Sequence, residues 1–564
     1  MKKFFQISLI FISLISSISA QNKFGIIYVT DYRWNPQRPE WLEKIAKDWS
    51  ATGVCLQVFW GDVEKEENDY YWKNLDNVIE MITSRKYNGK DLDIYIRICM
   101  GIEKPNWVYP GVNGFTNNDF QIKYDGTLFN NFDYENSTEY KTWKYPLNFG
   151  SPKSVSKMKS FLDTVLYHIS WKWKNKKSRI KEIIPTFSAA DEQEYPNAVM
   201  CGYSSYEKLE FQNYLRIKYS LISNLNKKWD TDYSYFSEID PQKFNWWVLK
   251  PYIEYTCKNG RVDWINFRSD LLSSFIDSLA EICSKYKFKI GAQIGSLYDA
   301  VIVNRGWADP TKLFEKIDAI HTADIYQYSN NFDFAAKYSK SLSDFWSYTN
   351  KKKVTFSTET NWPGFDNRSA EFLSGKWKSQ LEFYFNNGAS NLFLVGWDKW
   401  IDKLDSLKRV YKDWVETLSK YENQKLSQDS IDVCAIHLGC EKVLYYNHNQ
   451  ILSSGKFAIN DSLNTILNPN LSKIDNCSKL FITNYMIEKN PSYLYSFNKV
   501  FFSETSQYIT DSAYTIIFEN RSKLGFDNLE NQGNLSNKNF LKVGIENEYG
   551  ESRQNANLFI DKSR

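Results

Sequence analysis

The sequence predicts an α/β protein: a (β/α)8 TIM barrel followed by a smaller C-terminal α/β or mixed domain. Three observations carry this expectation. Eight short apolar runs alternate with helical patterns between Phe24 and about Tyr421. The runs are near-continuously hydrophobic, as parallel strands covered on both faces are. The two longest interruptions each follow a strand and precede a helix, which is the barrel face where substrate sites are built. A doubly wound sheet is the competing arrangement, and eight repeats of this length favour closure.

The elements follow in order. Met1-Lys2-Lys3 is basic, Phe4 to Ile15 is largely apolar, and Ser16, Ser17, Ser19 and Ala20 are small. That is the pattern of a secretory signal over residues 1–20, with the mature chain starting near Gln21. The apolar run is short for a transmembrane helix. A secreted or periplasmic protein is expected, with no membrane partner after cleavage. The barrel is expected over 21–424. Its runs are "FGIIYVT" at Phe24, "CLQVFW" at Cys55, "DIYIRICM" at Asp93, "EIIPTFS" at Glu182, "FKIGAQI" at Phe288, "IDAIHTADIY" at Ile317, "VTFSTE" at Val354 and "NLFLVGW" at Asn391.

Among the helices, "PEWLEKIAKDW" has Pro39 in its first turn and Trp41, Leu42, Ile45 and Trp49 on one face. "DWINFRSDLLSSFIDSLAEI" repeats Trp264, Phe267, Leu271, Leu272, Phe275 and Leu279 at helical spacing, and "EFLSGKWKSQLEFYFNNG" ends on the C-cap pair Asn387-Gly388. The insertions run over about 101–150 and 191–261. "LSQDS" reads as a linker into a C-terminal accessory region, 425–564. Its tail beyond Ser522 reads as poorly ordered or as an incomplete accessory domain.

Composition narrows the function. The 70 basic and 67 acidic residues leave a net charge of +3, so nucleic acid is not an expected partner. The eight cysteines are scattered without a CxxC pair, and the four histidines form no HxxxH, so neither metal nor cofactor is expected. Aromatic residues make up 17% of the chain, with 20 Trp, which fits core filling together with stacking on sugar faces.

The acids at the strand ends carry the chemistry. "SAADEQEYPN" begins at Ser188, directly after the fourth strand, and holds Asp191, Glu192 and Glu194. "VTFSTETNW" ends the seventh strand on Glu359. In a barrel those two points face each other across the pocket mouth. Two opposed carboxyls are what glycosidic cleavage requires, one to protonate the leaving oxygen and one to attack or to activate water. The plainer reading of either acid alone is a solvated loop residue or an ion-pair partner. Other candidates sit just past strands: Trp60, Trp107, Trp362 and Trp397 as sugar platforms, with Asp31 and Arg33 and, more weakly, Gln293 and His321 as hydroxyl binders. Arg97, inside the third strand, reads as a buried pair partner.

Over about Phe24 to Tyr421 the chain resembles the retaining glycoside hydrolases of the (β/α)8 "4/7" clan, especially the beta-galactosidase family. "GVCLQVFWGDVEKEENDYYWKNLDNVIEMI" looks like that family's second strand, loop and helix, and "IYIRICMGIEKPNW" like its third strand and Pro-x-Trp loop. The most specific match is "EFQNYLRIKYSLISNLNKKWDTDYSYFSEIDP" from Glu210, which resembles the segment following the acid/base residue. The resemblance implies a carbohydrate substrate, oligo- or polysaccharide, and retention, with the acid/base on strand four and Glu359 as nucleophile. It also implies that Tyr326 hydrogen-bonds the nucleophile.

The clan's Asn-Glu at strand four is replaced here. Gln193-Glu194-Tyr195 resembles the family's Asn-Glu-Tyr, which points to Glu194. "ADEQEYP" is similar to the Gly-Glu-x-x-Tyr-Pro loop of beta-amylases, which points to Glu192, as does strand length. The expectation is hydrolysis of a β-linked glycoside, beta-galactosidase-like, through a glycosyl-enzyme intermediate. A non-catalytic carbohydrate-binding barrel and an inverting glycosidase are the rival readings.

Overall fold

In the computed structural model the eight apolar runs form eight parallel strands. They are β1 (Gly25–Asp31), β2 (Gly53–Phe59), β3 (Asp93–Cys99), β4 (Ile180–Thr186), β5 (Gly291–Ile294), β6 (Ala319–Thr322), β7 (Thr355–Asn361) and β8 (Asn391–Val395). The structure describes residues 23–33, 35–130, 145–188, 191–196, 199–243, 260–295, 305–306, 316–322, 354–361, 369–397 and 403–422, the single positions 339, 343 and 424, and, beyond these, the strands named below. The signal segment expected over 1–20 lies outside them.

Neighbouring strands pair in the order β4-β3-β2-β1-β8-β7-β6-β5. That is a ring cut open once. The two free ends, β4 and β5, meet at a parallel bridge between Ile183 and Ile290, where the Ile183 N–H donates to the Lys289 carbonyl at 2.9 Å. The sheet is a nearly closed barrel, so the doubly wound alternative is excluded.

Gln193 completes the seam. Its side-chain amide donates to the Pro185 carbonyl on β4 at 2.6 Å and to the Gly291 carbonyl on β5 at 3.0 Å. Its backbone N–H donates to the Gln293 carbonyl at 2.7 Å. Carbonyls left over where the ladder gapes would be costly to bury unpaired, and Gln193 satisfies them.

The helices cover the outside. α1 (Pro39–Asp48) buries Trp41, Leu42, Ile45 and Ala46, and Trp49 packs immediately beyond it. α2 (Lys73–Ser84) buries Leu75, Val78, Ile79 and Ile82. α3 (Pro152–Lys172) starts with Pro152 behind the Ser151 hydroxyl, which accepts the Ser154 N–H at 3.3 Å. The second interruption supplies α4 (Ser205–Tyr219) and α5 (Ile222–Trp229), and α6 (Arg261–Lys285) follows. α7 (Ala370–Asn386) is capped by Ser369 and followed by Gly388 at φ +82°, where the chain turns into β8. α8 (Lys412–Tyr421) buries Trp414 and Leu418.

One large apolar cluster fills the layer between strands and helices. A second, inside the bore, consists of Ile27, Val29, Cys55, Tyr95, Ile184 and Phe393. The bore also holds polar groups. Glu182 on β4 pairs with His321 on β6, so His321 is a bore residue. The Tyr95 hydroxyl donates to Asn391 Oδ1 at 3.1 Å, and Asn391 Nδ2 donates to Ser357 Oγ at 3.1 Å. Gly291 is a glycine because a Cβ there would sit 1.7 Å from Glu182 Oε1 and 2.6 Å from His321 Nε2.

Beyond 424 the described residues are strands in two four-stranded sheets and a two-stranded pair. The first sheet is mixed: Val433–Leu438 pairs antiparallel with Lys442–Asn447 and parallel with Lys479–Ile482. Phe540–Ile545 and Ala556–Asp561, both beyond Ser522, pair in the second. Among the described residues no helix is long and apolar enough to cross a membrane.

α4 also carries a titration. The Ser204 hydroxyl accepts the Glu207 N–H at 3.2 Å, and Glu207 Oε2 accepts the Ser204 N–H at 3.1 Å, a reciprocal capping box. Glu207 is fully buried, and burial pushes its carboxyl from 4.5 up to about 7. Between those values the folded chain holds one proton more than the unfolded chain. Its stability therefore falls as pH rises, by roughly 1.4 kcal/mol per pH unit and about 3 kcal/mol in all.

Two outcomes are expected. Glu207→Gln keeps the capping box and flattens the decline in stability between pH 4.5 and 7, read by urea unfolding across that range. An equally steep decline in the variant would refute the assignment. Gly291→Ala overpacks the bore and destabilises by about 1–3 kcal/mol, read as a lowered Tm.

Candidate active site

The site is built toward the C-terminal ends of β2, β3, β4, β5 and β7 and on the segment that follows β4. That segment folds back sharply. The Glu192 carbonyl accepts the N–H of Phe187 at 3.1 Å and of Ser188 at 2.9 Å, and the Glu192 N–H donates to Ser188 Oγ at 3.0 Å. The reversal puts Asp191 at φ +63°, a left-handed conformation that Asp tolerates better than most residues. Its carboxylate is thereby aimed into the bore.

Arg97 is the centre of the arrangement. It rises from β3 with 3% exposure. Its Nη2 donates to Glu359 Oε2 at 2.8 Å and to Gln293 Oε1 at 3.1 Å, and its Nη1 lies 3.5 Å from Asp191 Oδ2. Gln57 Nε2 donates to the same Asp191 oxygen at 3.0 Å, and Thr186 Oγ1 donates to the other. Burial disfavours the guanidinium charge, but Glu359 foremost, with Asp191, outweighs it and pushes the Arg97 pKa up. Burial pushes the nearby Cys55 thiol up to about 12, as befits a core residue. α7 steadies the end of β7, where Gln380 Nε2 donates to the Glu359 carbonyl at 3.1 Å.

The other two acids of the segment differ. Glu194 is 1% exposed and Glu192 7%. Glu194 Oε1 takes Arg305 Nη1 at 2.8 Å, and its Oε2 accepts the Gly295 N–H at 3.2 Å. Glu192 Oε2 lies 3.8 Å from the same Arg305 nitrogen.

The structure brings Glu359, Gln293 and the Asp191–Glu194 segment together, with Glu192 and Glu194 both facing Arg305. Asp31 and Arg33 lie apart from Arg97 in their own cluster. Arg33 Nε donates to Asp31 Oδ1 at 2.9 Å, and Nη1 reaches Asp62 Oδ2 at 2.7 Å and Glu103 Oε2 at 3.0 Å.

The tryptophans expected as platforms are corrected in place. Trp60 is fully buried, stacked on Phe161 at 5.0 Å, with its Nε1 donating to Glu64 Oε2 at 2.7 Å. Trp107 meets Trp60 edge-on at 5.7 Å. Trp397 is buried against Trp49 at 5.3 Å and Trp377 at 5.5 Å. Their apolar faces are taken by the core, because an indole just past a strand reaches the helix layer as readily as the pocket. Tyr326 and Trp362 lie outside the described residues.

Sequence reasoning did not single out Gln57, Thr186 or Arg305. A glutamine within the apolar run "CLQVFW" is a signal for the first. Arg305 carries none, since it follows no strand-like run. Among the described residues no group of three or more His, Cys, Asp or Glu is arranged to hold a metal ion.

The shared guanidinium makes a prediction. Arg97→Met strands two buried carboxylates and costs about 3–5 kcal/mol in stability, read by denaturant unfolding. Arg97→Lys keeps the charge but cannot serve Glu359, Gln293 and Asp191 with one planar fork, so it retains more stability than Met while losing activity. Equal stability of the two variants would contradict this.

Residues 185–370 match the family model described as "Beta-galactosidase". The span runs from inside β4 to the start of α7 and contains Asp191, Glu192, Glu194 and Glu359. No curated protein matches the chain. Among solved structures, the catalytic domain of a beta-amylase from Paenibacillus polymyxa is 14% identical, covering 72% of this chain and 99% of that one, with a TM-score of 0.49. A GH5_18 protein from Bifidobacterium longum subsp. longum is 12% identical over 74% of this chain and 83% of that one, TM-score 0.41. An exo-carrageenase from Bacteroides ovatus is 13% identical over 73% and 54%, TM-score 0.40. The family match takes in the acids at both strand ends, and the chain is a glycoside hydrolase that resembles the beta-galactosidase family over that span.

Proposed function

We propose that this glycoside hydrolase is exported and cleaves a β-linked glycoside, beta-galactosidase-like, with retention of configuration. The observation that carries the reading is the Arg97 guanidinium, which ties Glu359 at the end of β7 to Asp191 on the segment after β4. The substrate is an oligo- or polysaccharide lying across the mouth of the bore.

In this reading Glu359 is the nucleophile. The charge-assisted hydrogen bond from Arg97 fixes the carboxylate's orientation toward the anomeric carbon. Glu192 is the acid/base. It protonates the leaving oxygen as the glycosyl–Glu359 ester forms, then takes a proton from the water that hydrolyses the ester. Export rests on the basic and apolar pattern of residues 1–20.

Asp191 occupies the place of the clan's asparagine. An asparagine side chain offers both donors and an acceptor, whereas a carboxylate only accepts. Asp191 already engages Thr186, Gln57 and Arg97. It organises the protein side of the site, so the sugar 2-hydroxyl draws its partner from elsewhere.

The test uses a panel of aryl β-glycosides. Glu359→Gln abolishes turnover of all of them. Glu192→Gln lowers kcat/KM by about 10²–10⁴ on substrates with poor leaving groups and far less on 2,4-dinitrophenyl glycosides, whose departure needs no acid. On the latter kcat still falls, because hydrolysis of the ester has lost its base. Proton NMR of the first-formed sugar shows the β-anomer. The α-anomer appearing first would mean inversion. Sugar binding without turnover, unchanged by Glu359→Gln, would make the protein a carbohydrate-binding barrel.

A further inference from the structure

Two carboxylates of the segment after β4 converge on one buried guanidinium. Arg305 is fully buried, and its Nη1 lies 2.8 Å from Glu194 Oε1 and 3.8 Å from Glu192 Oε2. The pocket around this triad is built for it. Gly295 donates its N–H to Glu194 Oε2 at 3.2 Å, and a Cβ at Gly295 would come within 1.4 Å of Arg305 Nη1. The Arg305 carbonyl accepts the Tyr195 N–H at 3.0 Å, which ties the turn holding Arg305 to the segment holding both acids.

This geometry raises a difficulty for an acid at Glu192. A guanidinium within about 4–6 Å of a carboxyl favours its ionised form and depresses its pKa by roughly 1–3 units. A general acid must instead hold its proton until the leaving oxygen takes it. Glu194 resolves the conflict, because its closer, hydrogen-bonded carboxylate offsets the Arg305 charge.

We propose that Glu194 is a positioning residue that neutralises Arg305 and thereby lets Glu192 carry the catalytic proton. The proposal rests on the reading of Glu192 as acid/base. Arg305 then orients the segment without stripping its proton. Among the described residues, the other charged groups near this segment are Asp191, Arg97 and Glu359, joined at the bore, and Glu207 and Arg268 behind Tyr195. Asp191 and Glu359 share Arg97, Glu207 and Arg268 adjoin the Tyr195 side chain, and Arg305 lies against Glu192.

The experiment compares wild type, Glu194→Gln, Arg305→Gln and the double variant. Two readouts are used: the pH profile of kcat/KM on an aryl β-glycoside with a poor leaving group, and a carbon-13 NMR titration of the Glu192 carboxyl, which needs no substrate. In Glu194→Gln the basic limb and the Glu192 titration both move to lower pH, by at least about one unit. The double variant returns both toward wild type, because the guanidinium is gone. Arg305→Gln alone moves the Glu192 titration upward, and it stands in if Glu194→Gln fails to fold.

An unmoved Glu192 titration in folded Glu194→Gln, or a shift that the double variant retains, would overturn the proposal. The underlying reading is judged separately by Glu192→Ala with azide. A β-glycosyl azide product identifies Glu192 as the acid/base. If azide instead rescues Glu194→Ala and not Glu192→Ala, Glu194 is the acid, and both the reading and the proposal fall.

Discussion

A guanidinium inside a barrel has to be compensated on every side. Arg97 is nearly sequestered from water, and the desolvation of its charge is large unless anions and acceptors meet it directly. Three side chains do so: Glu359, Asp191 and Gln293. They arrive from β7, the segment after β4, and β5. The requirement to surround one cation thus brings distant parts of the chain to a single point. The left-handed turn at Asp191, the polar Gln57 inside β2 and the Thr186 hydroxyl at the end of β4 follow from that requirement.

The same logic repeats at lower stakes. Glu182 and His321 pair within the bore, and Gly291 makes room for them. Glu194 and Arg305 pair beside the segment after β4, and Gly295 makes room for them. Each of these two buried ion pairs is accompanied by a glycine on β5 or immediately after it. β5 lies at the open end of the pairing order, where side-chain volume is given up so that charges from neighbouring elements can meet.

Much of this was legible in the sequence. Hydrophobic periodicity separates strands from helices because burial on both faces and burial on one face leave different patterns, and all eight runs became barrel strands. The acids stood out jointly, because a barrel brings the ends of its fourth and seventh strands to facing sides of one pocket. What stayed hidden depends on distance in space. Trp60, Trp107 and Trp397 sit at strand ends like pocket residues, but whether an indole turns to the helices or to the mouth is settled by tertiary packing. Arg305 lies over a hundred residues from Glu194 and acquires meaning only when the turn carrying it docks. Gln193, between two glutamates, looked like part of the acidic motif, although its amide closes the barrel.

That last residue joins two things that barrel enzymes often keep apart. In a (β/α)8 scaffold the ladder confers integrity, while the loops are free to vary for chemistry. Here the residue after Glu192 is a structural clasp, bonded to β4 on one side and β5 on the other. An insertion that re-aimed the acid would pull the clasp out of register, and a change that loosened the clasp would misplace the acid. Variation in specificity is therefore channelled toward the other strand ends, and this corner of the scaffold is evolutionarily stiff.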